Sequence, residues 1–192
     1  MKLDCCPKRE GKSMYNQSDQ IGNRYHSLQT KIWLHHDVFS GHWWTIVILN
    51  ILFLIVFLML MDRYRILLIT FSFLVNFVIV GFTDEIGTYF NAWSYPHQLA
   101  VFTHRLNAVD FFVVPISMSL TYQYFSKWKM YILSSILLSA IICFIAAPIF
   151  VYFHLYEIEN WNYFYSFVVM MLMLMLSKIF VDFVFKKSEK YA

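Results

Sequence analysis

Seven residues between positions 84 and 110 carry the groups best able to do chemistry: Asp84, Glu85, Trp93, Tyr95, His104, Arg105 and Asp110. A carboxylate paired with an imidazole could do acid–base work, because the ring gains and loses its proton near neutral pH. A carboxylate at membrane depth is expensive unless paired, so Asp110 is a candidate by default. Arg105 lies about one and a half helical turns before it, and a helix cap or a plain Arg105–Asp110 pair is the simpler account of both. His35, His36, His42, His97, His104 and His154 could, with nearby carboxylates, ligate zinc or copper. No HxxxH spacing sets two imidazoles on one helical face, so no metal and no cofactor is expected. Glycine-rich phosphate loops, a nucleophile elbow and a dinucleotide fingerprint are missing, and no catalytic residue is assigned. The reading leans away from an enzyme.

The elements that must position these residues follow from composition. Of 192 residues, 59% are apolar, 20% aromatic and only 14% charged, against roughly a quarter charged in a soluble domain. The mean hydropathy is +0.54. A net charge of +3 with dispersed basic residues gives no support for nucleic-acid binding. Three cysteines exclude a disulfide scaffold. Cys5-Cys6 reads as incidental thiols, with palmitoylation a weaker alternative, and Cys143 as a small hydrophobe. What remains is an integral membrane protein.

A helix needs about 20 apolar residues to cross a hydrocarbon core of about 30 Å. Five stretches qualify: 45–61, 66–83, 108–126, 131–153 and 165–185. The expected fold is therefore all-α, a bundle of five transmembrane helices over residues 42–185. A polar, flexible or interfacial N-terminal segment covers 1–41, and a basic tail covers 186–192. Residues 32–39 could form a short amphipathic or re-entrant piece. The first forty residues hold no apolar signal-like run, so the first span would act as its own insertion signal. Asn76 should hydrogen-bond to a neighbouring helix, and Pro115 and Pro148 should kink theirs. Met170, Met171, Met173 and Met175 spread around helix five as lipid-facing filler. Lys178 and Asp182, four apart, should pair and snorkel toward headgroups.

Sidedness follows from the breaks. Arg63, Arg65, Lys127, Lys129, Lys178, Lys186, Lys187 and Lys190 fall on one side, against Arg105 on the other, or against Arg24, Lys31 and Arg105 if the N-terminal flank is counted. The positive-inside rule then puts the C-terminus in the cytoplasm and the loops 84–107 and 154–164 outside. The aromatics of those loops suit the interfacial belt.

From His42 onward, about three-quarters of the chain resembles an uncharacterised family of small multi-spanning membrane proteins of spore-forming Gram-positive bacteria. The resemblance is carried by the order of Trp43-Trp44, Asp62-Arg63-Tyr64-Arg65, Asp84-Glu85-Ile86-Gly87 and Trp93-Ser94-Tyr95-Pro96. It continues through Asp110 with Pro115, Tyr122-Gln123-Tyr124-Phe125, Lys127-Trp128-Lys129, Trp161 and Tyr165-Ser166. It implies a multi-pass fold and no established activity. It also implies an acid before the proline of helix four, where this chain has Ala147-Pro148.

The leading expectation is a structural or interaction component of a bacterial cell membrane, with a spore membrane as one home. The alternative is a small-molecule or ion transporter or sensor using the region of Asp110, and after it a lipid-modifying enzyme at the outer interface. Partners are the lipid bilayer and either further copies of the chain or other membrane proteins.

Overall fold

The computed structural model describes residues 8–100 and 111–189. It is all-helical apart from two short strands. In chain order the elements are α1 (Lys8–Ile32), a π-helical turn (Trp33–Asp37), α2 (Gly41–Leu60), α3 (Ile66–Tyr89) and β1 (Trp93–Ser94). After them come α4 (Val113–Tyr124), α5 (Trp128–Ile141), a second π-turn (Ile142–Ala146), α6 (Ala147–Tyr152), β2 (Glu157–Ile158) and α7 (Tyr163–Glu189).

Four helical stretches are long and apolar enough to cross a membrane: Gly41–Leu60, Arg63–Tyr89, Trp128–Tyr152 and Tyr163–Lys187. No more than 28% of any of them is buried inside the protein, so most of their apolar surface faces outward, as it does in lipid. The third expected span, 108–126, differs from what was expected. Its described helix, α4, has 12 residues and is about 18 Å long, short of a hydrocarbon core. Residues 101–110 lie outside the described residues.

Short as it is, α4 forms the centre of the bundle, with Val114, Pro115, Ile116, Met118, Ser119, Thr121, Tyr122 and Gln123 all buried. Asn76 of α3 donates from Nδ2 to Ser119 Oγ of α4 at 2.8 Å, the interhelical bond its position in the sequence suggested. The main apolar core joins Val80, Met118, Cys143, Met170, Leu174 and Val181. Met170 is thus a core residue at 3% exposure. The lipid-facing reading fails for it because every fourth residue of α7, from Met170 through Leu174 to Lys178, turns inward.

The basic breaks gather at one end. Asp62 donates its backbone N–H to Gln123 Oε1 at 3.1 Å, and Gln123 Nε2 donates to the carbonyl of Leu60 at 2.8 Å. At the opposite end, α3 and α6 stop in the same way. After α3, Asn91 takes a left-handed φ of 50°, and the N–H groups of Asn91 and Ala92 donate to the carbonyls of Thr88 and Gly87. After α6, His154 takes φ 54°, and His154 and Leu155 donate to Val151 and Phe150. Both are Schellman caps, which satisfy the last carbonyls and turn the chain out of the helix. The turned segments then meet: β1 and β2 pair antiparallel, Trp93 opposite Ile158 and Ser94 opposite Glu157. We call this the strand end and its opposite the basic end.

Much of the first segment is helical. α1 runs for 25 residues and joins α2 through the π-turn, Phe39 at φ 62° and Ser40, whose hydroxyl caps α2 by accepting from Trp43 N–H at 3.2 Å. Trp33 and Trp43 donate from their indoles to the carbonyls of Gln98 and Leu99, both at 3.1 Å. These two bonds tie the start of the chain to the strand end.

Candidate functional site: an apolar chamber under an aromatic roof

Asp84 sits on the inward stripe of α3 that repeats every four residues through Ser72, Asn76 and Val80, all of them buried. Position 84 brings this stripe to the strand end. There Oδ1 of Asp84 accepts from Trp93 Nε1 at 2.9 Å and from the Tyr95 hydroxyl at 2.8 Å. An indole N–H can only donate and finds its partner when buried, and the acid supplies one acceptor for both rings. Gly87, one turn further on, makes room for the arrangement: a methyl in its place would overlap the indole of Trp93.

The other loop supplies a matching pair. Trp93 meets Trp161 edge-on at 5.4 Å between centroids, and Tyr95 meets Tyr156 at 5.5 Å. Trp161 in turn donates from Nε1 to Ser166 Oγ at 3.0 Å. Four rings from two loops, held in register by the strand pair, form a roof. Beneath it lies a chamber of about 130 Å³. Its floor is Val80, Val114, Met170 and Met173, and one wall is Cys143, Ala146, Ala147 and Phe150.

That wall exists because of Pro148. Proline lacks the N–H that would continue the ladder, and its ring crowds the carbonyl four residues back. The helix absorbs this just upstream, where the Ala147 N–H bonds to the carbonyl of Ile142. The result is a π-turn, a feature common beside functional sites. Two alanines, Ala146 closing the bulge and Ala147 following it, leave the wall hollow. The expected kink is therefore a register change that shapes a cavity.

Of the seven residues singled out in the sequence, Asp84, Trp93 and Tyr95 come together at the chamber. Glu85 faces away from it and lines a separate polar cleft of about 480 Å³ with Asp37, Thr88, Ser94 and Gln98. His104, Arg105 and Asp110 lie outside the described residues. Sequence reasoning missed the roles of Tyr156 and Trp161, taken there as interfacial belt, and of Ala146, Ala147 and Gly87. The one signal for them was small residues beside a proline and an acid. It also missed Asp37, which is 6% exposed and contacts His97 Nδ1 through Oδ1 at 2.7 Å, while the His42 ring stacks on His97 at 4.2 Å. Among the described residues no group of three or more His, Cys, Asp or Glu could hold a metal ion.

The basic end buries a basic side chain. Lys178 is 2% exposed, and Nζ donates to the Ser126 carbonyl at 3.0 Å. It lies 4.8 Å from the ring centroids of Tyr122 and Tyr131 and 5.2 Å from that of Trp128. Asp182 Oδ2 is 3.4 Å away, and Oδ1 accepts from the Tyr122 hydroxyl at 2.8 Å. The pairing with Asp182 is as expected, but the snorkelling is not. The ammonium turns into a cage of three rings, where cation–π attraction replaces water.

Compared with protein families, curated proteins and solved structures, the chain matches none.

Proposed function

We propose that this chain is a multi-pass protein of the cell membrane, and that it holds a small hydrophobic molecule or lipid chain in the chamber at its strand end. It would act as a binding protein of the sensor or transporter class. The observation that carries this reading is the chamber itself: an apolar hollow under a roof of four rings that a shared carboxylate and a strand pair hold in place. Natural interiors are close-packed, and an apolar cavity of about 150 Å³ is known to stay dry and take up benzene. The hollow here is of similar volume, about 130 Å³, but open on one side, sized for one ring or a short stretch of chain to enter.

The proposal includes five crossings. Residues 93–99 belong to the strand end, and α4 finishes beside Asp62 at the basic end, so the chain passes from one end to the other between them. With the strand end extracytoplasmic, the C-terminus is cytoplasmic. A cysteine placed at 93 should label from outside and one at 128 should not; the reverse pattern overturns the orientation. A home in the membrane of a spore-former rests on the sequence resemblance alone.

The test of ligand binding is native mass spectrometry of protein purified in mild detergent. Wild type should carry a hydrophobic adduct that Ala147→Phe, which fills the chamber, removes. An adduct of equal occupancy in both proteins, or none in either, rejects the reading. A second reading, a structural or interaction component, is favoured by the bonds of Asp84 to Trp93 and Tyr95, which clamp two loops together. On that reading Ala147→Phe leaves every in-cell phenotype intact.

A further inference from the structure

The cleft beside the strand end shows which way α1 faces. Successive helical positions advance by about 100°, which places Met14, Ile21, Tyr25, Leu28 and Ile32 within an arc of about 60°. All five are exposed, Met14 and Ile21 at 69% each. Tyr25 and Ile32, at one end of this stripe, line the cleft opposite Thr88 and Tyr89, the last residues of α3. The stripe therefore faces the bundle's strand end over its last two turns. Met14 lies about 16 Å further along the axis, on the same azimuth, and is exposed. A helix with a narrow apolar stripe and polar flanks is the kind that lies in the bilayer interface.

Charge points the same way. Arg24 and Lys31 are exposed and flank the stripe about 70–90° from its centre, while Lys12 and Asp19 fall on the opposite face. At the other end of the connection the Trp43–Trp44 pair and Phe39 cluster, with centroids 5.0 to 6.4 Å apart, where α2 begins. Such rings favour the bilayer interface.

We propose that α1 is a lipid-surface anchor. It lies against the anionic headgroups beside the bundle, with Met14, Ile21 and Leu28 dipping into the interface and Arg24 and Lys31 contacting phosphate. This holds whatever occupies the chamber. A stripe of this spacing also suits a seam between two copies of the chain, which the test must separate.

The experiment uses the full chain with Cys5, Cys6 and Cys143 replaced, in nanodiscs of phosphatidylglycerol with phosphatidylcholine or of phosphatidylcholine alone. Single spin labels go at 14 and 21 on the stripe and at 16 and 23 on the opposite face. With the anionic lipid, labels 14 and 21 should be reached by oxygen and shielded from a water-soluble relaxation agent, and labels 16 and 23 the reverse. Arg24→Gln and Lys31→Gln should each lower the docked-to-undocked ratio about fivefold, since a basic residue near an anionic surface contributes about 1 kcal/mol, whereas Lys12→Gln, on the opposite face, should leave it unchanged. Four equally water-exposed labels overturn the proposal, as does dipolar broadening at 21, which would mark a second copy. Equal shielding in both lipids overturns the choice of an anionic surface.

Discussion

Both ends of the bundle bury an ionisable side chain among aromatic rings, yet a hollow lies beside Asp84 while the cage around Lys178 is filled. At the basic end Lys178 occupies its own cage: three rings, a carbonyl and Asp182 surround the ammonium. At the strand end Asp84 stands at the edge of its ring cluster, bonded to two of four rings, with a cavity below. A buried charge needs pairing in low dielectric. The lysine meets that need with a long stem that reaches into the cage and fills it. The aspartate is short, and it recruits rings from loops that then arch over empty space. The same requirement thus fills the space around one charged group and leaves a hollow beside the other.

The largest effect that could break this contrast is loss of the carboxylate at the basic end. Asp182→Asn leaves the buried ammonium without its counter-ion, and removing one partner of such a pair costs about 3 kcal/mol. Thermal unfolding in micelles should show a clear drop; an unchanged midpoint would mean that the cage holds the charge without the acid. At the strand end, Gly87→Ala pushes a methyl into Trp93 and should cost about 2 kcal/mol by overpacking. It should also shift Trp93 emission and weaken chamber occupancy. A native-like emission spectrum would show that the indole is not seated on α3. Between the two ends, the Asn76–Ser119 bond sharpens the contrast by being neutral to it. A double-mutant cycle with Asn76→Ala and Ser119→Ala should return a coupling of about 0.6 kcal/mol, with occupancy unaltered.

The smallest effect lies in the turn before α3. The Arg65 side chain, with help from the Tyr64 N–H, holds the Asp62 carboxyl below its ordinary value of 3.8. A depressed acid in the folded state stabilises above that value, and the contribution is lost as pH falls through the folded-state value. Acidification from pH 5 downward should therefore loosen this turn in wild type. Asp62→Asn should remove that component of the acid response; an identical response in the variant would assign it elsewhere.

The four long helices were legible in the sequence because uninterrupted apolar runs have one reading in lipid. So were the gathering of the basic breaks at one end and the Asn76 bond. The chamber was not, for reasons that are specific. Periodicity places Asp84 on a helix but says nothing of which loop reaches it, and the pairing of β1 with β2 joins segments more than sixty residues apart. Pro148 announced a kink, but the π-turn that hollows the wall depends on where the helix takes up the strain. Lys178 read as a snorkelling residue because its neighbours Tyr122, Trp128 and Tyr131 come from other helices. The length of α1 was hidden by its polarity, since its stripe is narrow and its other faces are wet.

One comparison reaches the central claim most directly: the fluorescence of Trp93 and of Trp128, each as the sole tryptophan in the protein, titrated with a small bromo-hydrocarbon quencher. A hollow strand end predicts strong, saturable quenching of Trp93 that Ala147→Phe abolishes, and only the unsaturable background of partitioning at Trp128. Equal quenching at the two positions, or quenching of Trp93 that survives Ala147→Phe, would contradict it.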